Sequence, residues 1–394
     1  MLGPTVGGGG LGRYVEELVR ELCTVSHKHR FVLFLKKKTF ASPPFSRGDQ
    51  GGLSFFEKRL ADIHWYTLKE QLVMGRLIDR EPARPSNGRS GGPARMTRSD
   101  GHLDLVHFPH WNVPLFLRTP FVVTIHDLIL LEEPRSARAT TRHPFIYAIK
   151  YAAYKVILKH ALTKSSAIIA VSQYTKSSIL KFFPKIPASK IHVIYEGLTT
   201  FPPSPTNPPH PPNPFLLYVG NAYPHKNLET LLNAFSLFRE SHPGVHLVLA
   251  GRGDVFYERL QKEVARLNLT DCVRFVLNPT DQDLAELYRV ASLYVFPSRC
   301  EGFGLPPLEA MSFGVPVVVS RTSSLPEILG DAAVYFDPKN PDEIAQTLGD
   351  VFDNPSLQET LRKKGLEQIK RYSWKKMAEE ILHVYESCDQ KETT

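Results

Sequence analysis

The densest chemistry in this 394-residue chain lies between two glutamates, in Glu301-Gly-Phe-Gly-Leu-Pro-Pro-Leu-Glu309. The block follows an apolar run ending in Phe296-Pro297-Ser298. It reads as a strand that stops, a tight turn allowed by Gly302 and Gly304, and a helix whose first turn accommodates Pro306 and Pro307. The backbone amides of Phe303, Gly304 and Leu305 then gather at a helix N-terminus, where unpaired N–H groups and the helix dipole favour an anion. Glu301 before the turn and Glu309 about a turn into the helix flank that anion. Two carboxylates so placed accept hydrogen bonds from a polyhydroxylated ligand on either side of a diphosphate.

Three other groups add to this chemistry. Lys226, in Val219-Gly-Asn-Ala-Tyr-Pro-His-Lys-Asn227, follows another apolar run. Its ammonium would neutralise a diphosphate as charge builds on a leaving group; the lesser alternative is a solvated surface lysine. Gly7–Gly12 is a glycine run that could be only a flexible loop; directly before an amphipathic helix it reads as an anion-accepting turn, with Arg13 beside it. His126 ends an apolar run, at the edge where a doubly wound domain binds ligands. His107 and His110 have the spacing of metal ligands, but no carboxylate set accompanies them, which favours acceptor-site lining or core packing.

The Glu301–Glu309 block closely resembles the E-x7-E motif of the retaining GT-B glycosyltransferases of family four. The resemblance extends along most of the chain, in the same order and spacing. It takes in Gly7–Tyr14, Thr124-Ile-His-Asp127, Ala170-Val-Ser172, Val219–Asn227, Ala250-Gly-Arg-Gly253 and Ser324-Leu-Pro-Glu327. It implies that Glu301 contacts the sugar hydroxyls of a nucleotide-sugar donor and Glu309 its ribose, with Phe303, Gly304 and Leu305 at the sugar and diphosphate. It places Gly12 and Arg13 near the diphosphate, in a loop that also shapes the acceptor site. His126 falls beside the donor sugar, orienting a hydroxyl or the local backbone, with Asp127 holding its ring or capping the next segment. Gly220, Asn221 and Lys226 belong to the loop that grips the diphosphate. The family commonly supplies an Arg and a Lys there; here the Arg position is Asn221, one charge fewer, and Arg252 is the candidate to compensate.

These groups need a scaffold, and the resemblance implies α/β architecture of the GT-B type: two Rossmann-like domains facing across a cleft, with a C-terminal helix returning to the first. The chain's own punctuation agrees. Thr199–Pro214 is mostly proline, unable to continue a helix or a central strand, and reads as a stiff linker. It separates domain 1–198 from domain 215–372, with 373–394 as the returning helix. On both sides apolar runs alternate with amphipathic stretches, the signature of βαβ units. Strands are predicted at Phe31–Leu35, Leu103–Phe108, Phe121–Ile125, Ala167–Val171, Ile191–Ile194, Phe215–Val219, Val245–Leu249, Val273–Leu277, Leu293–Phe296 and Val315–Val319. Asn227 and Asp281 are predicted N-caps. The glycine run has no room for a strand before it, so the first strand of that domain is expected upstream of Met1.

Composition narrows the class. Hydrophobic residues are 42% and charged residues 22%, as in a globular protein. No apolar run is long enough to span a bilayer, and the first residues lack a secretory pattern. The four cysteines, Cys23, Cys272, Cys300 and Cys388, are scattered, which points to a reducing cytoplasm rather than a disulfide framework or zinc site. The net charge of +8 comes with no nucleic-acid motif. Part of it lies in Gly75–His102, whose Gly, Pro and Ser content reads as a mobile loop or, failing that, a binder of phosphate or lipid headgroups. Lys36–Lys38 is a candidate contact with anionic membrane.

The expected reaction is transfer of a hexose with retention, by front-face displacement and without a metal or cofactor. GDP-mannose is favoured over a UDP-sugar, and a glycan or lipid-linked hydroxyl is the acceptor. The alternatives are a sugar-nucleotide epimerase on the same fold and a non-catalytic nucleotide-sugar binder.

Overall fold

The computed structural model describes residues 10–26, 28–35, 56–61, 70–80, 103–134, 136, 144–199, 201 and 213–390. In the N-terminal half, β1 (Phe31–Leu35) and β2 (Phe56–Leu60) pair in parallel. A second parallel sheet runs β3 (Val106–Phe108), β4 (Phe121–Ile125), β5 (Ala167–Ala170), β6 (Ile191–Val193) in that order. Around them lie α1 (Gly10–Val25), α2 (Gly75–Asp79), α3 (Ile129–Glu132), α4 (Pro144–Lys164) and α5 (Gln173–Phe182). Strands β4 and β5 are buried along their whole length, the mark of a parallel sheet covered on both faces.

The C-terminal half is built on β7 (Phe215–Val219), β8 (His246–Gly251), β9 (Val273–Leu277), β10 (Leu293–Phe296), β11 (Val317–Ser320) and β12 (Ala333–Phe336). They form one parallel sheet in the order β12-β11-β10-β7-β8-β9. Its helices are α6 (Leu228–Ser241), α7 (Val255–Arg266), α8 (Asp281–Val290), α9 (Leu305–Ser312), α10 (Leu325–Leu329), α11 (Pro341–Phe352) and α12 (Pro355–Gln368). Central strand β7 is Phe-Leu-Leu-Tyr-Val and wholly buried. No helix of the described residues is long and apolar enough to cross a membrane.

The last helix, α13 (Trp374–Gln390), does not stay with the half that precedes it. Its buried Trp374, Met377, Ala378, Ile381 and Val384 share a core with Tyr14, Leu18 and Leu22 of α1 and with Val122 and Ile169 of the N-terminal sheet. The crossing point is tight: a Cβ on Gly197 would lie 2.2 Å from the Trp374 amide nitrogen, and the Trp374 indole N–H donates to Thr199 Oγ1 at 3.0 Å.

Several sequence-based expectations need correction. Gly10–Gly12 are helical rather than loop, because the α1 core face (Tyr14, Val15, Leu18, Leu22) holds the glycines in its first turn; residues 7–9 lie outside the described residues. Gly75–Asp79 is α2 and not part of a mobile loop. Met74 and Ile78 enter the core, and the Asp79 carboxylate accepts the amides of Arg118 and Thr119. Residues 81–102, Lys36–Lys38, the region ahead of Gly10 and most of the proline segment lie outside the described residues. Asn227 occupies an N-cap position in the left-handed region (φ 62°) without capping through its side chain. The cap of α8 is Thr280, in a reciprocal capping box with Asp283, and Asp281 is the first helical residue. Strands β2 and β12 were not anticipated.

Candidate active site

In the C-terminal sheet the chain leaves β7 toward β8 on one side and returns to β10 on the other. Loops leaving the carboxyl ends of β7 and β10 therefore diverge and open a crevice, the usual ligand position of such sheets. Both principal side chains come from those two loops. Lys226 Nζ donates to Glu301 Oε1 at 2.5 Å, and both side chains are largely withdrawn from water. The β7 loop is fixed by Asn227, whose amide donates to the carbonyls of Pro297 (3.1 Å) and Pro338 (2.7 Å), tying it to the ends of β10 and β12. This is what draws the Asn227 side chain away from capping α6. The Arg299 amide donates to the His225 carbonyl at 2.8 Å, adding a second tie.

After Glu301 the chain makes the expected turn into α9. Gly304 is the N-cap residue at φ 101°, a conformation that favours glycine. Gly302 is required by proximity, since a Cβ there would fall 1.8 Å from the His126 carbonyl oxygen of the opposite domain. Ser324 holds the turn by donating to the carbonyls of Glu301 (3.0 Å) and Phe303 (3.1 Å), and the Glu301 amide donates to Ser323 Oγ. The Phe303 ring is buried edge-on against Tyr372. The helix N-terminus beginning at Leu305 thus sits beside the Lys226–Glu301 pair.

Glu309 is buried one turn along α9. It accepts from Arg13 at 2.6 Å and from the Tyr288 hydroxyl at 3.0 Å. Burial raises its pKa, against the opposing pull of Arg13 and Tyr288. Arg13 reaches across from α1, also pairs with Asp281 at 3.1 Å and lies over the Phe201 ring. The sequence placed Arg13 at the diphosphate; the structure sets it against the second glutamate. Gly12 is buried in the first turn of α1. The Gly220 carbonyl accepts the Tyr257 hydroxyl and the Asn221 carbonyl the Tyr218 hydroxyl, which fixes the backbone of this loop. Arg252 stands exposed beyond β8.

His126 ends β4 as expected, yet both its ring nitrogens face protein acceptors. Nδ1 meets Glu196 Oε1 at 2.9 Å and Nε2 the Pro109 carbonyl at 3.1 Å. A ring that donates from both nitrogens is the imidazolium. Burial works against that charge, but the hydrogen bond and charge of Glu196, with Asp127, prevail and raise the His126 pKa. Asp127 caps the following segment through the Ile129 amide rather than holding the ring. Of the two implied roles, the geometry favours orienting the backbone: the His126 carbonyl lies against Gly302 and accepts the Thr175 hydroxyl. His107 bridges Tyr385 of α13 (2.5 Å) and Thr124 of β4 (2.8 Å), and burial pushes its pKa down to about 3. That is core structure. Desolvation lowers the half-buried His110 likewise to about 3, and no set of three or more His, Cys, Asp or Glu side chains among the described residues is placed to hold a metal.

Other polar contacts span the crevice. The Glu327 carboxylate accepts the amides of Gln173 (2.7 Å) and Tyr174 (2.9 Å), capping α5 from the opposite domain where its dipole is positive. Ser172 Oγ donates to the Gly302 carbonyl at 2.7 Å. Glu132 accepts from Cys300 Sγ at 2.8 Å, the Tyr174 hydroxyl at 2.9 Å and the Ser178 hydroxyl. Ser136 hydrogen-bonds His225 at 2.7 Å, whose pKa burial and Lys226 push down to about 3. Sequence reasoning missed Glu196, Tyr288 and Glu132 altogether and gave Glu327 and Ser172 no role. Glu196 had a signal: an acid two residues past Ile194, at the carboxyl end of a predicted strand.

The His126–Glu196 pair carries a sign for pH. Its histidine pKa is raised in the folded state, so its contribution to stability is complete below the unfolded value near 6.5 and lost as pH rises through the folded value. The gap in unfolding midpoint between the native protein and Glu196→Gln should therefore be widest in mild acid and narrow toward alkaline pH. A gap that grows with pH would contradict the assignment.

Comparison with known proteins falls in line with this geometry. The sequence profile described as Glycosyltransferase Family 4 matches residues 8–200, and that described as Glycosyl transferases group 1 matches residues 205–368. The chain is similar to O-antigen chain mannosyltransferase B of Escherichia coli, 29% identical over 391 residues and 95% of each chain. Its fold is similar to that of WaaG, a glycosyltransferase involved in lipopolysaccharide biosynthesis, with a TM-score of 0.69, 14% identity and 96% of each chain covered. It is similar also to HepE of Anabaena solved with UDP and glucose, with a TM-score of 0.68, 17% identity and 98% of each chain covered. With parallel-sheet halves meeting at this crevice and two profiles that together run through nearly all of it, the chain belongs to the family-four glycosyltransferases of the GT-B fold and is an enzyme of glycosyl transfer.

Proposed function

We propose that the enzyme moves a hexose, mannose in preference, from a nucleoside-diphosphate sugar to a hydroxyl of a glycan or lipid-linked acceptor, with retention at the anomeric carbon. The observation that carries this reading is the Lys226–Glu301 pair at the switch point, beside the α9 N-terminus. A buried charge stripped of its partner is costly, and the ion pair keeps each charge matched. A donor supplies both with new partners at once: its diphosphate takes the Lys226 ammonium, and its sugar hydroxyls donate to the freed Glu301 carboxylate. Glu309 has the same relation to Arg13, with ribose hydroxyls as the incoming donors.

In the reaction the anomeric C–O bond to the diphosphate breaks as the acceptor oxygen bonds the same carbon from the same face. The acceptor proton passes to the departing phosphate oxygen. Lys226 and the amides at the start of α9 stabilise the charge that develops there, a transition-state interaction. They carry it without a divalent metal or other cofactor. Gly302 pressed against the His126 carbonyl narrows the crevice and limits water at the anomeric centre.

GDP-mannose is the favoured donor, supported by the mannosyltransferase named among the relatives; HepE, solved with UDP and glucose, keeps UDP-sugars as the competing class. The work is assigned to the cytoplasm, at the inner face of the membrane where a lipid-linked acceptor would be met. The epimerase and non-catalytic readings are disfavoured by the family assignment and by the intact acid–lysine set.

Kinetics, donor binding and metal dependence each test this scheme. Glu301→Ala should lower turnover about a hundredfold while donor affinity moves far less, and Lys226→Ala should slow transfer about tenfold or more, the loss of one charge-assisted contact. Equal losses of turnover and affinity in Glu301→Ala, or native rates in Lys226→Ala, would overturn these roles. In a thermal-shift series GDP-mannose should raise the unfolding temperature more than UDP-glucose; the reverse order would reassign the donor. Transfer should survive chelator, and a complete loss restored by added divalent ion would replace the metal-free scheme.

A further inference from the structure

Helix α4 has two apolar faces. Its inner face is Tyr154, Leu158, Ala161 and Leu162, all packed into the N-terminal core. The outer face carries Phe145, Ile146, Ile149 and Val156, which are 68%, 47%, 55% and 59% exposed. With Ala153 these fall at i, i+1, i+4, i+8 and i+11, one continuous stripe on a helix of 3.6 residues per turn and on the side away from the core. None of the residues 145–153 is buried; in this first half of the 21-residue helix Tyr151 packs against the core and the Tyr147 hydroxyl donates to the Pro134 carbonyl, while the stripe itself faces outward. Exposed Lys150 and Lys164 border one edge of the stripe and exposed Lys155 and Lys159 the other, and the helix has no Asp or Glu. The loop packed on it through the Trp111–Tyr154 ring contact carries exposed Phe116, whose carbonyl lies against Gly75.

Scattered exposed apolar residues need no explanation, but an aligned stripe bordered by lysines does. We infer that the outer face of α4 lies on a bilayer surface rich in anionic phospholipid. The geometry suits that occupant: Phe145, Ile146, Ile149 and Val156 enter the boundary between headgroups and acyl chains, while the lysines extend sideways to the phosphates. Two things argue against a second copy of the chain. Apposed stripes would bring two sets of lysines together, and α4 has no acidic side chain to receive them. The contact is peripheral, because four lysines on one helix bar it from spanning the membrane.

This rests on and deepens the reading of a lipid-linked acceptor, which an enzyme held at the bilayer would meet at its surface. The test is sedimentation of the full chain with vesicles of phosphatidylcholine alone or with about one third phosphatidylglycerol, with neither donor nor acceptor present. The protein should pellet with the anionic vesicles only, and added salt should release much of it. Ile149→Glu should lower the vesicle partition coefficient about tenfold. Replacing Lys150, Lys155 and Lys159 together by Gln should lower it about a hundredfold, at roughly fivefold per lysine. All these sites are exposed, and circular dichroism checks that both variants fold. Glu301→Ala should pellet like the native protein, so failure of the transferase reading would not mimic failure here. No binding to anionic vesicles would overturn the inference, as would undiminished binding by both variants. So would a concentration-dependent doubling of mass that Ile149→Glu abolishes in place of vesicle binding.

Discussion

A lysine ammonium and a glutamate carboxylate, each mostly out of water, can sit at the mouth of this crevice only because each neutralises the other. Withdrawn singly, either would pay a desolvation penalty of several kcal/mol. That constraint reaches back into the fold. Lys226 and Glu301 stand 75 residues apart in sequence and meet because β7 and β10 are neighbours in the sheet. Asn227 then locks the two loops with bonds to Pro297 and Pro338, accepting a left-handed backbone to do so. Ser323 and Ser324 fix the turn beyond Glu301 from the other side.

The two halves meet through directed polar contacts as much as through apolar packing. Arg13 against Glu309, Ser172 against Gly302, Glu327 at the start of α5 and Glu132 against Cys300 each place a donor from one half on an acceptor of the other. Hydrogen bonds of this kind are modest individually and demanding in geometry. They favour one alignment of the crevice walls.

Much of this was legible in the sequence. The bounds of β4, β7 and β10 match the apolar runs Phe121–Ile125, Phe215–Val219 and Leu293–Phe296, because strands buried on both faces write themselves as continuous apolar stretches. The turn at Gly302–Gly304 was equally plain, since few residues other than glycine fit it. Tertiary partnerships were not. His126 needed Glu196, seventy positions away, and nothing local in either residue names the other. Asn227 looked like a helix cap because Asn usually is one; a tertiary demand from Pro297 and Pro338 outbid the local one. Strand β2, with Glu57, Lys58 and Arg59 in a run of five, has too little apolar character to announce itself.

The route of the final helix bears on how the protein is made. Trp374, Met377, Ile381 and Val384 complete the hydrophobic layer over α1, although some 350 residues of chain separate them from it. During synthesis the N-terminal half must therefore wait, with the apolar side of α1 uncovered, while the whole second sheet emerges from the ribosome. Its core closes only when α13 has emerged and folds back past Gly197. An interrupted product lacking that segment would leave the apolar side of α1 exposed and prone to aggregate.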